Sequence, residues 1–269
     1  MSTLTITLVQ PALHWEDKAS NLEMLEEAIV SLRQKTEVVI LPEMFSTGFS
    51  MRPEVLAESM EGESVGWMKR MASENKIALT GSLIISEGGK YYNRLIWMLP
   101  NGQSGYYDKR HCFAYAGEDE HYTPGSKRLI AQVKGWKLNL QVCYDLRFPV
   151  WARQQQTETG EMEYDVLVYV ANWPQRRAHA WKTLLQARAI ENQAFVVGVN
   201  RVGNDGNNIY HSGDSMVIDP LGEILYHQAD KPGAHTITLH RETLEEVRSK
   251  FPFWKDADNF ELINQPPEE

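Results

Sequence analysis

Three polar residues that together could hydrolyse an amide or related bond each follow an apolar segment of the sequence. Glu43 comes after VVILP, Lys109 after the hairpin-like stretch NRLIWMLPNGQSGYYD, and Cys143 after LNLQV. A cysteine can attack a carbonyl carbon, a glutamate can take the thiol proton and later activate water, and a lysine can stabilise the tetrahedral intermediate. These residue types predict covalent hydrolysis through a thioester.

Each of the three residues also has an ordinary structural interpretation. Free cysteines usually pack in cores, Glu43 could lie on the surface after a proline turn, and Lys109 could be a solvated charge. Two general rules favour the chemical interpretation. Ligands collect at the carboxyl ends of strands in α/β sheets, and a thiol where a strand meets a helix N-terminus is favoured as thiolate by the helix dipole. Spacing alone does not bring the three residues together.

The elements that must position these residues alternate between strands and helices. Apolar residues alternating with threonines over 4–8 predict a first strand, and a helical spacing over 22–32 predicts a helix with Ser20 as its N-cap. Asn101-Gly102 and Pro220-Leu221-Gly222 are typical of hairpin turns. The pattern favours an α/β fold, a mixed sheet with helical layers outside. Further strands are predicted at 38–41, 77–85, 91–99, 105–107, 129–133, 136–142, 165–171, 195–200, 215–218 and 223–226, and further helices at 65–75 and 178–193.

Size and charge narrow the classes of protein and partner. The chain has 269 residues, 42% of them hydrophobic, with a formal net charge of −9. No repeat or linker marks a boundary, so we expect one domain over residues 1–269, with a frayed tail from about residue 262. The negative charge opposes binding to nucleic acid and to anionic membranes, so neither is an expected partner.

Targeting signals and disulfides are not expected. No stretch approaches the roughly 20 apolar residues that cross a bilayer, and the sequence MSTLTITLVQ is unlike a signal peptide. The chain has only two cysteines, Cys112 and Cys143, which excludes a disulfide framework. A reducing cytoplasm is therefore the expected location.

Other chemical motifs have little support. Residues 62–66 match the GxSxG pattern of serine hydrolases, but the acidic segment before them is unlike a strand, so Ser64 is interpreted as the N-cap of the 65–75 helix. His111, His121 and His179 could approach a pocket, yet no HExxH or CxxC pattern indicates a metal site. No glycine-rich nucleotide motif is present either. We expect no metal and no organic cofactor.

Longer segments around the three polar residues resemble a known family. LPEMFSTGF at 41–49, YDKRH at 107–111 and VCYDLRFP at 142–149 are similar to the three signature segments of the nitrilase superfamily, in the same order. The resemblance continues through YVANWP at 169–174 and over 179–203 and 213–225. It implies a four-layer αββα sandwich and carbon–nitrogen hydrolysis without a cofactor.

The resemblance also implies roles for individual residues. Glu43 would be the base, Lys109 the stabiliser of the oxyanion and Cys143 the nucleophile, with the backbone N–H of Tyr144 as second oxyanion donor. The family has a further glutamate, for which GEDEHYTPG at 117–125 offers Glu118 and Glu120. The spacing to Gly125 favours Glu118, although both could be solvated charges in an acidic loop.

Within the superfamily, CYDLRFPVW and VANWP most resemble the omega-amidases, which hydrolyse side-chain amides of 2-oxo acids such as 2-oxoglutaramate. Arg147 lies four residues beyond the nucleophile, where its guanidinium could bind a substrate carboxylate through two hydrogen bonds. Trp173 would form a wall of the pocket. Alternatively, Arg147 pairs with Asp145 and Trp173 belongs to the core.

Two other functions are alternatives to this one, and an assembly is predicted. A nitrile or N-carbamoyl amine hydrolase would share the same triad, and a non-catalytic binding protein on this fold would have lost a triad residue, whereas all three are present. The small-molecule amide is the expected partner. The helix around 178–193 and the GDSMVIDP hairpin resemble segments through which this superfamily forms dimers, so a homodimer is predicted.

Overall fold

The structure, a computed structural model, describes residues 2–258 and 260–262. The tail predicted to be frayed lies outside these residues except for Leu262. The strands are β1 (Thr3–Gln10), β2 (Val38–Ile40), β3 (Ala78–Glu87), β4 (Lys90–Met98), β5 (Ser104–Asp108), β6 (Leu129–Val133), β7 (Trp136–Val142), β8 (Val166–Val170), β9 (Phe195–Val199), β10 (Val202–Asn204), β11 (Tyr210–Ile218), β12 (Ile224–Ala229) and β13 (Gly233–His240). The α-helices are α1 (Lys18–Val30), α2 (Pro53–Leu56), α3 (Glu63–Asn75), α4 (Glu118–His121), α5 (Pro149–Ala152), α6 (Ala178–Asn192) and α7 (Arg241–Lys250).

The strands form two mixed sheets of similar construction. The first has the order β13-β1-β2-β3-β4-β5, and the second has the order β10-β11-β9-β8-β7-β6 with β12 paired to β11. The neighbouring pairs β1–β2, β2–β3, β7–β8 and β8–β9 are parallel, and the outer pairs are antiparallel. Each sheet therefore has a parallel centre, and polar residues that follow its central strands emerge at the same edge.

Alternation along the strands divides the core into layers. Val38 and Ile40 of β2 belong to a buried cluster that contains residues of both sheets, whereas Val39 and Leu41 belong to a cluster with residues of α1 and α3. A third cluster joins α6 to the outer face of the second sheet. Successive residues of a strand point to opposite faces, so these all-apolar runs are buried on both sides. The fold is an αββα sandwich.

Two predicted helix caps are wrong. The cap of α1 is Asp17, whose carboxylate accepts from the backbone N–H of Ser20 at 3.1 Å. Ser64 lies inside α3, and Glu58, which precedes the helix, accepts from the backbone N–H groups of Ser64 at 2.9 Å and Val65 at 3.2 Å. In both cases a carboxylate satisfies the first-turn N–H groups. The GxSxG segment is helical and its serine is buried, which is unlike a nucleophile elbow.

The other predicted elements agree with the structure to within a few residues, including both hairpins. The sequence patterns did not predict β10, β13 or α7, nor the four-residue helices α2, α4 and α5. Strand β13 pairs along the whole of β1 as an edge strand. None of the helices within the described ranges is long and apolar enough to cross a membrane.

Candidate active site

The two sheets bring the predicted triad residues to one place. Glu43 follows β2 of the first sheet, Lys109 follows β5 of the same sheet, and Cys143 follows β7 of the second sheet. Glu43 and Lys109 are almost fully buried, with 0% and 1% of their surfaces exposed, while Cys143 is half-buried and lines a cavity. Buried charges require partners.

Lys109 is held between two carboxylates. Its Nζ lies 2.9 Å from Oε1 of Glu43, 3.0 Å from Oε1 of Glu118 and 2.8 Å from Oε2 of Glu118. Glu118 is fully buried, whereas Glu120, the other predicted candidate, is exposed. The α4 helix therefore directs Glu118, and not Glu120, at the lysine.

The charges of this cluster follow from its burial. Burial alone lowers the pKa of Lys109, but the Glu118 and Glu43 carboxylates outweigh burial and hold the pKa well above its usual value. Burial raises the pKa of Glu118, and the Lys109 ammonium opposes that rise. Lys109 is therefore a permanent cation beside Cys143, which is the charge needed to stabilise an oxyanion.

Two asparagines that were not predicted complete the surroundings of Glu43. Asn93 of β4 donates its Nδ2 amide to Oε1 of Glu43 at 2.8 Å and to Oε1 of Glu118 at 3.1 Å. Asn172, just beyond β8, donates its backbone N–H to Oε2 of Glu43 at 2.8 Å and its side-chain amide to the Glu43 carbonyl at 2.5 Å. Hydrogen bonds from Asn93, Lys109 and Asn172 therefore hold both carboxylate oxygens of Glu43 in place.

Cys143 occupies a strained turn. Its φ is +46°, a left-handed conformation that is rare for residues other than glycine, and a short 3₁₀ helix over Cys143–Arg147 follows. Burial and then the negative charge of the Glu43 carboxylate raise the pKa of Cys143 well above its usual value. The expectation that a helix dipole favours the thiolate is therefore wrong. A single 3₁₀ turn has too small a dipole to offset burial beside a carboxylate.

Asp145 joins the strand that carries Cys143 to the segment that carries Lys109. It is fully buried and accepts from the backbone N–H groups of Val142 at 3.0 Å and His111 at 3.0 Å and from the hydroxyl of Tyr107 at 2.7 Å. The alternative in which Asp145 pairs with Arg147 is thus not observed. The hydrogen bonds to Asp145 therefore connect β5 with β7 and link the turns that follow these two strands.

Arg147 and Trp173 face the cavity together. The guanidinium carbon of Arg147 lies 4.9 Å from the centre of the Trp173 ring, a cation–π contact. Trp173 is nearly buried and packs in the third core cluster, and it also lines the cavity. The cavity has a volume of about 580 Å³. Its lining includes Trp15, Phe49, Arg52, Phe113, Tyr115, Cys143, Tyr144, Arg147, Asn172, Trp173, Arg176, Arg177, Asp205 and His211.

Comparison with known proteins identifies the family. The carbon-nitrogen hydrolase family model matches residues 5–249, which is most of the chain. The chain belongs to the carbon-nitrogen hydrolase family. Among relatives, it is 43% identical to an omega-amidase, YafV, of Yersinia enterocolitica over 98% of this chain and 100% of the relative. It is 30% identical to a 2-oxoglutaramate amidase of Bacillus subtilis over 94% of this chain and 96% of the relative.

Solved structures give the same family and fold. XC1258 of Xanthomonas campestris, a CN-hydrolase superfamily protein with an arsenic adduct in its active site, has a TM-score of 0.95 and 43% identity, covering 97% of this chain and 100% of that one. The nitrilase-superfamily protein Nit3 of Saccharomyces cerevisiae has a TM-score of 0.79 and 25% identity, covering 93% of this chain and 94% of that one. This chain is a carbon–nitrogen hydrolase of the nitrilase superfamily.

Several residues of this carbon–nitrogen hydrolase were missed by sequence reasoning. Asn93 precedes Arg94 and the apolar run LIWM, and Asn172 lies in the VANWP segment. A polar residue next to an apolar run is a weak indication of a functional role, and both residues had it. Among the three histidines considered, His111 contacts Asp145 through Nδ1 at 2.8 Å. Over the described part of the chain, no group of three or more His, Cys, Asp or Glu side chains is arranged to hold a metal ion.

Proposed function

We propose that this carbon–nitrogen hydrolase cleaves the side-chain amide of a 2-oxo dicarboxylic acid, 2-oxoglutaramate or 2-oxosuccinamate, to the acid and ammonia. The observation that carries the proposal is the buried Lys109, paired with Glu43 and Glu118 beside Cys143, at a cavity with arginine side chains. The names of relatives at 43% and 30% identity support the amide substrate.

The first half-reaction forms a thioester. Cys143 rests as a neutral thiol near the Glu43 carboxylate, so Glu43 takes the proton as the sulfur attacks the amide carbonyl carbon. The Lys109 ammonium and the backbone N–H of Tyr144 stabilise the resulting oxyanion. The intermediate collapses by breaking its C–N bond, and Glu43 returns the proton to the leaving nitrogen, which departs as ammonia.

The second half-reaction consumes water. Glu43 takes a proton from a water molecule as its oxygen attacks the thioester carbonyl, and the same two donors stabilise the second oxyanion. The C–S bond then breaks, the acid leaves, and the sulfur regains a proton from Glu43. Glu118 has both oxygens on Lys109, so we assign it the role of positioning the ammonium and not of taking protons.

Recognition of the far end of the substrate uses Arg147. Its guanidinium can form two hydrogen bonds with a carboxylate, and the Trp173 ring beneath it fixes its plane. The chain as a whole has a net charge of −9, so an arginine-lined cavity is a local exception that favours anionic substrates. A cavity of about 580 Å³ accommodates a five-carbon acid amide.

Ammonia release from 2-oxoglutaramate, a nitrile and an N-carbamoyl amine tests the substrate class. We expect turnover of the omega-amide at a kcat/KM at least about a hundredfold above the other two. Turnover of only the nitrile or the carbamoyl compound would replace the substrate assignment but not the triad. No turnover of any compound would favour a binding protein on this fold.

Intact mass spectrometry tests the nucleophile. In Glu43→Gln, which lacks the base for thioester hydrolysis, substrate should leave an acyl adduct that maps to Cys143. Cys143→Ala should form no adduct and release no ammonia. The control Cys112→Ala should behave as the wild type, because the Cys112 thiol donates to the Tyr122 carbonyl and, within the described residues, makes no hydrogen bond to Glu43, Lys109 or Cys143. Full turnover in Cys143→Ala would end the proposal.

A further inference from the structure

Three arginines of the cavity have no acidic partner in the structure. Within residues 2–258 and 260–262, no ion pair engages the guanidinium groups of Arg147, Arg176 or Arg177, all of which line the cavity. Arg52, on the same cavity, is different because it pairs with Glu16 at 2.7 Å. Arg147 and Arg177 are partly buried and Arg176 is exposed. Partly buried cations without a counter-ion, such as Arg147 and Arg177, are suited to an anionic ligand.

Arg177 is held in place through the same tryptophan as Arg147. The indole N–H of Trp173 donates to the Arg177 carbonyl at 2.8 Å, while the Trp173 ring lies under the Arg147 guanidinium. The Arg177 guanidinium itself lies 5.0 Å from the centre of the Phe113 ring. Phe113 in turn contacts the ring of Tyr144, the residue after the nucleophile, at 4.9 Å between centres. The Trp173 hydrogen bond and the Phe113 contact thus hold Arg177 at the cavity that Cys143 also lines.

The electrostatic state of Arg177 agrees with this geometry. Burial and then the positive charge of Arg176 lower the pKa of Arg177, with a smaller contribution from Arg147. The three arginines therefore repel one another when the cavity contains no anion. A ligand that brings a carboxylate and a further acceptor oxygen removes this repulsion.

We propose that Arg177 is a specificity-determining residue which, with Arg147, selects 2-oxo acids over 2-amino acids. This inference rests on the proposed function for the identity of the substrate. A 2-oxo oxygen accepts a hydrogen bond from a guanidinium, as the neighbouring carboxylate does. A 2-ammonium group has only donors and a positive charge, so it faces Arg177 without a bond and with repulsion.

The proposal can be tested by comparing the turnover of three amides that differ only at the second carbon. 2-Oxoglutaramate has the oxo group, glutaramate has a methylene and L-glutamine has the ammonium. Arg177→Gln should lower kcat/KM for 2-oxoglutaramate at least about tenfold relative to glutaramate, and should raise the ratio of L-glutamine to 2-oxoglutaramate by a similar factor.

Two further variants show whether the loss in Arg177→Gln is specific to the oxo group. Arg147→Gln should lower kcat/KM for 2-oxoglutaramate and glutaramate by a similar factor, because both have the carboxylate. Arg70→Gln, which removes an exposed positive charge that pairs with Glu26 on the outer helical layer, should change none of the ratios. Equal losses for 2-oxoglutaramate and glutaramate in Arg177→Gln would overturn the proposal.

Protection of the nucleophile gives a test that needs no turnover. Iodoacetamide, which is neutral, alkylates Cys143, and mass spectrometry follows its rate in the presence of 2-oxoglutarate or L-glutamate. The wild type should be protected by 2-oxoglutarate at a concentration at least about tenfold lower than by L-glutamate, and Arg177→Gln should lose that difference. An unchanged difference in Arg177→Gln would contradict the inference. If no omega-amide is hydrolysed but the difference depends on Arg177, the proposed reaction fails and the oxo-acid site stands.

Discussion

The side-chain amide of Asn93 donates to Oε1 of Glu43 at 2.8 Å, the same oxygen that lies 2.9 Å from Nζ of Lys109. This oxygen therefore accepts two hydrogen bonds while the other accepts from the backbone of Asn172. These hydrogen bonds hold the Glu43 carboxylate in one position. In the proposed mechanism Glu43 takes the thiol proton, so we expect Asn93 to act on the reaction through Glu43.

Asn93→Ala should lower kcat about ten- to a hundredfold and change KM less than about threefold, because it weakens proton transfer and not substrate binding. Steady-state kinetics with 2-oxoglutaramate measure kcat and KM separately, and urea unfolding separates this role from a packing defect. The exposed Asn101→Ala is the control, and a kcat within about threefold of the wild-type value would count against the role of Asn93.

Lys109 contributes both to chemistry and to the stability of the site. Lys109→Met should lower kcat about a hundred- to a thousandfold, the loss seen when an oxyanion donor is removed. It also leaves Glu43 and Glu118 buried together without a cation, so the variant should unfold at lower urea concentration than the wild type. Single-turnover acylation and urea unfolding measure the two effects. Lys69→Met, exposed on α3, is the control, and acylation within about twofold of wild type would exclude Lys109 from the oxyanion site.

Asp145 should control the reactivity of Cys143 without touching substrate. Asp145→Asn turns one of the two acceptor oxygens into a donor, which faces either the His111 N–H or the Val142 N–H and Tyr107 hydroxyl, so it should reduce the free energy of unfolding by roughly 2–3 kcal/mol. Tyr107→Phe removes one bond to Asp145 and also the acceptor of the Arg110 backbone N–H and the Trp151 indole N–H, so its cost should be similar. Alkylation of Cys143 by iodoacetamide should slow in both variants. Equal rates in both variants and the wild type would show that the turn at Cys143 does not depend on this network.

The fold and much of the site followed from the sequence for identifiable reasons. Apolar runs such as Val38–Leu41, ended by a proline, predict buried strands, and Glu43 and Cys143 had to emerge at strand ends. The juxtaposition of Glu43 with Lys109 and Cys143 could be expected only from the resemblance of three segments to one family. No spacing rule relates residues 66 apart along the chain and 2.9 Å apart in space.

What could not be predicted depends on contacts between residues that are far apart in the sequence. Asn93 gives no local sign that its amide meets two carboxylates, one of them after β2 and the other on α4. The neutral state of Cys143 likewise depends on burial beside Glu43, which outweighs the helix position that the sequence indicated. Edge strand β13 was missed because its partner β1 lies more than 200 residues away in the sequence.

A homodimer remains a prediction, and the structure suggests where to test it. Exposed apolar side chains lie on α6 and around the β11–β12 turn, and Gly222 of this turn lies against Ile190 of α6. Equilibrium sedimentation should give about twice the chain mass of 30.8 kDa. Leu221→Glu should shift the mass toward the monomer, while Val55→Glu, 62% exposed on α2, should not. A wild-type mass of 30.8 kDa would contradict the prediction. The exposed apolar side chains on α6 and around the β11–β12 turn are Ile190, Leu221, Ile224 and Leu225.

His211 predicts how stability responds to acid. It lines the cavity and is 3% exposed, and burial followed by the positive charge of Arg201 lowers its pKa from 6.5 to about 4. The folded state therefore binds fewer protons than the unfolded state between these two values. The contribution of His211 to stability is complete above pH 6.5 and is lost as the pH falls toward about 4, a loss of roughly 3 kcal/mol.

Urea unfolding at about pH 7 and about pH 4.5 measures this dependence. His211→Gln cannot take up the proton, so its free energy of unfolding should fall less between the two pH values than that of the wild type, whatever its stability at neutral pH. His121→Gln, at an exposed position, should retain the wild-type slope. The quantity to compare is the change in unfolding free energy between the two pH values. A packing defect at residue 211 lowers the free energy equally at both pH values, so it leaves this change unaltered. If His211→Gln and the wild type lose the same unfolding free energy on acidification, the claim that His211 is buried as a neutral group is wrong.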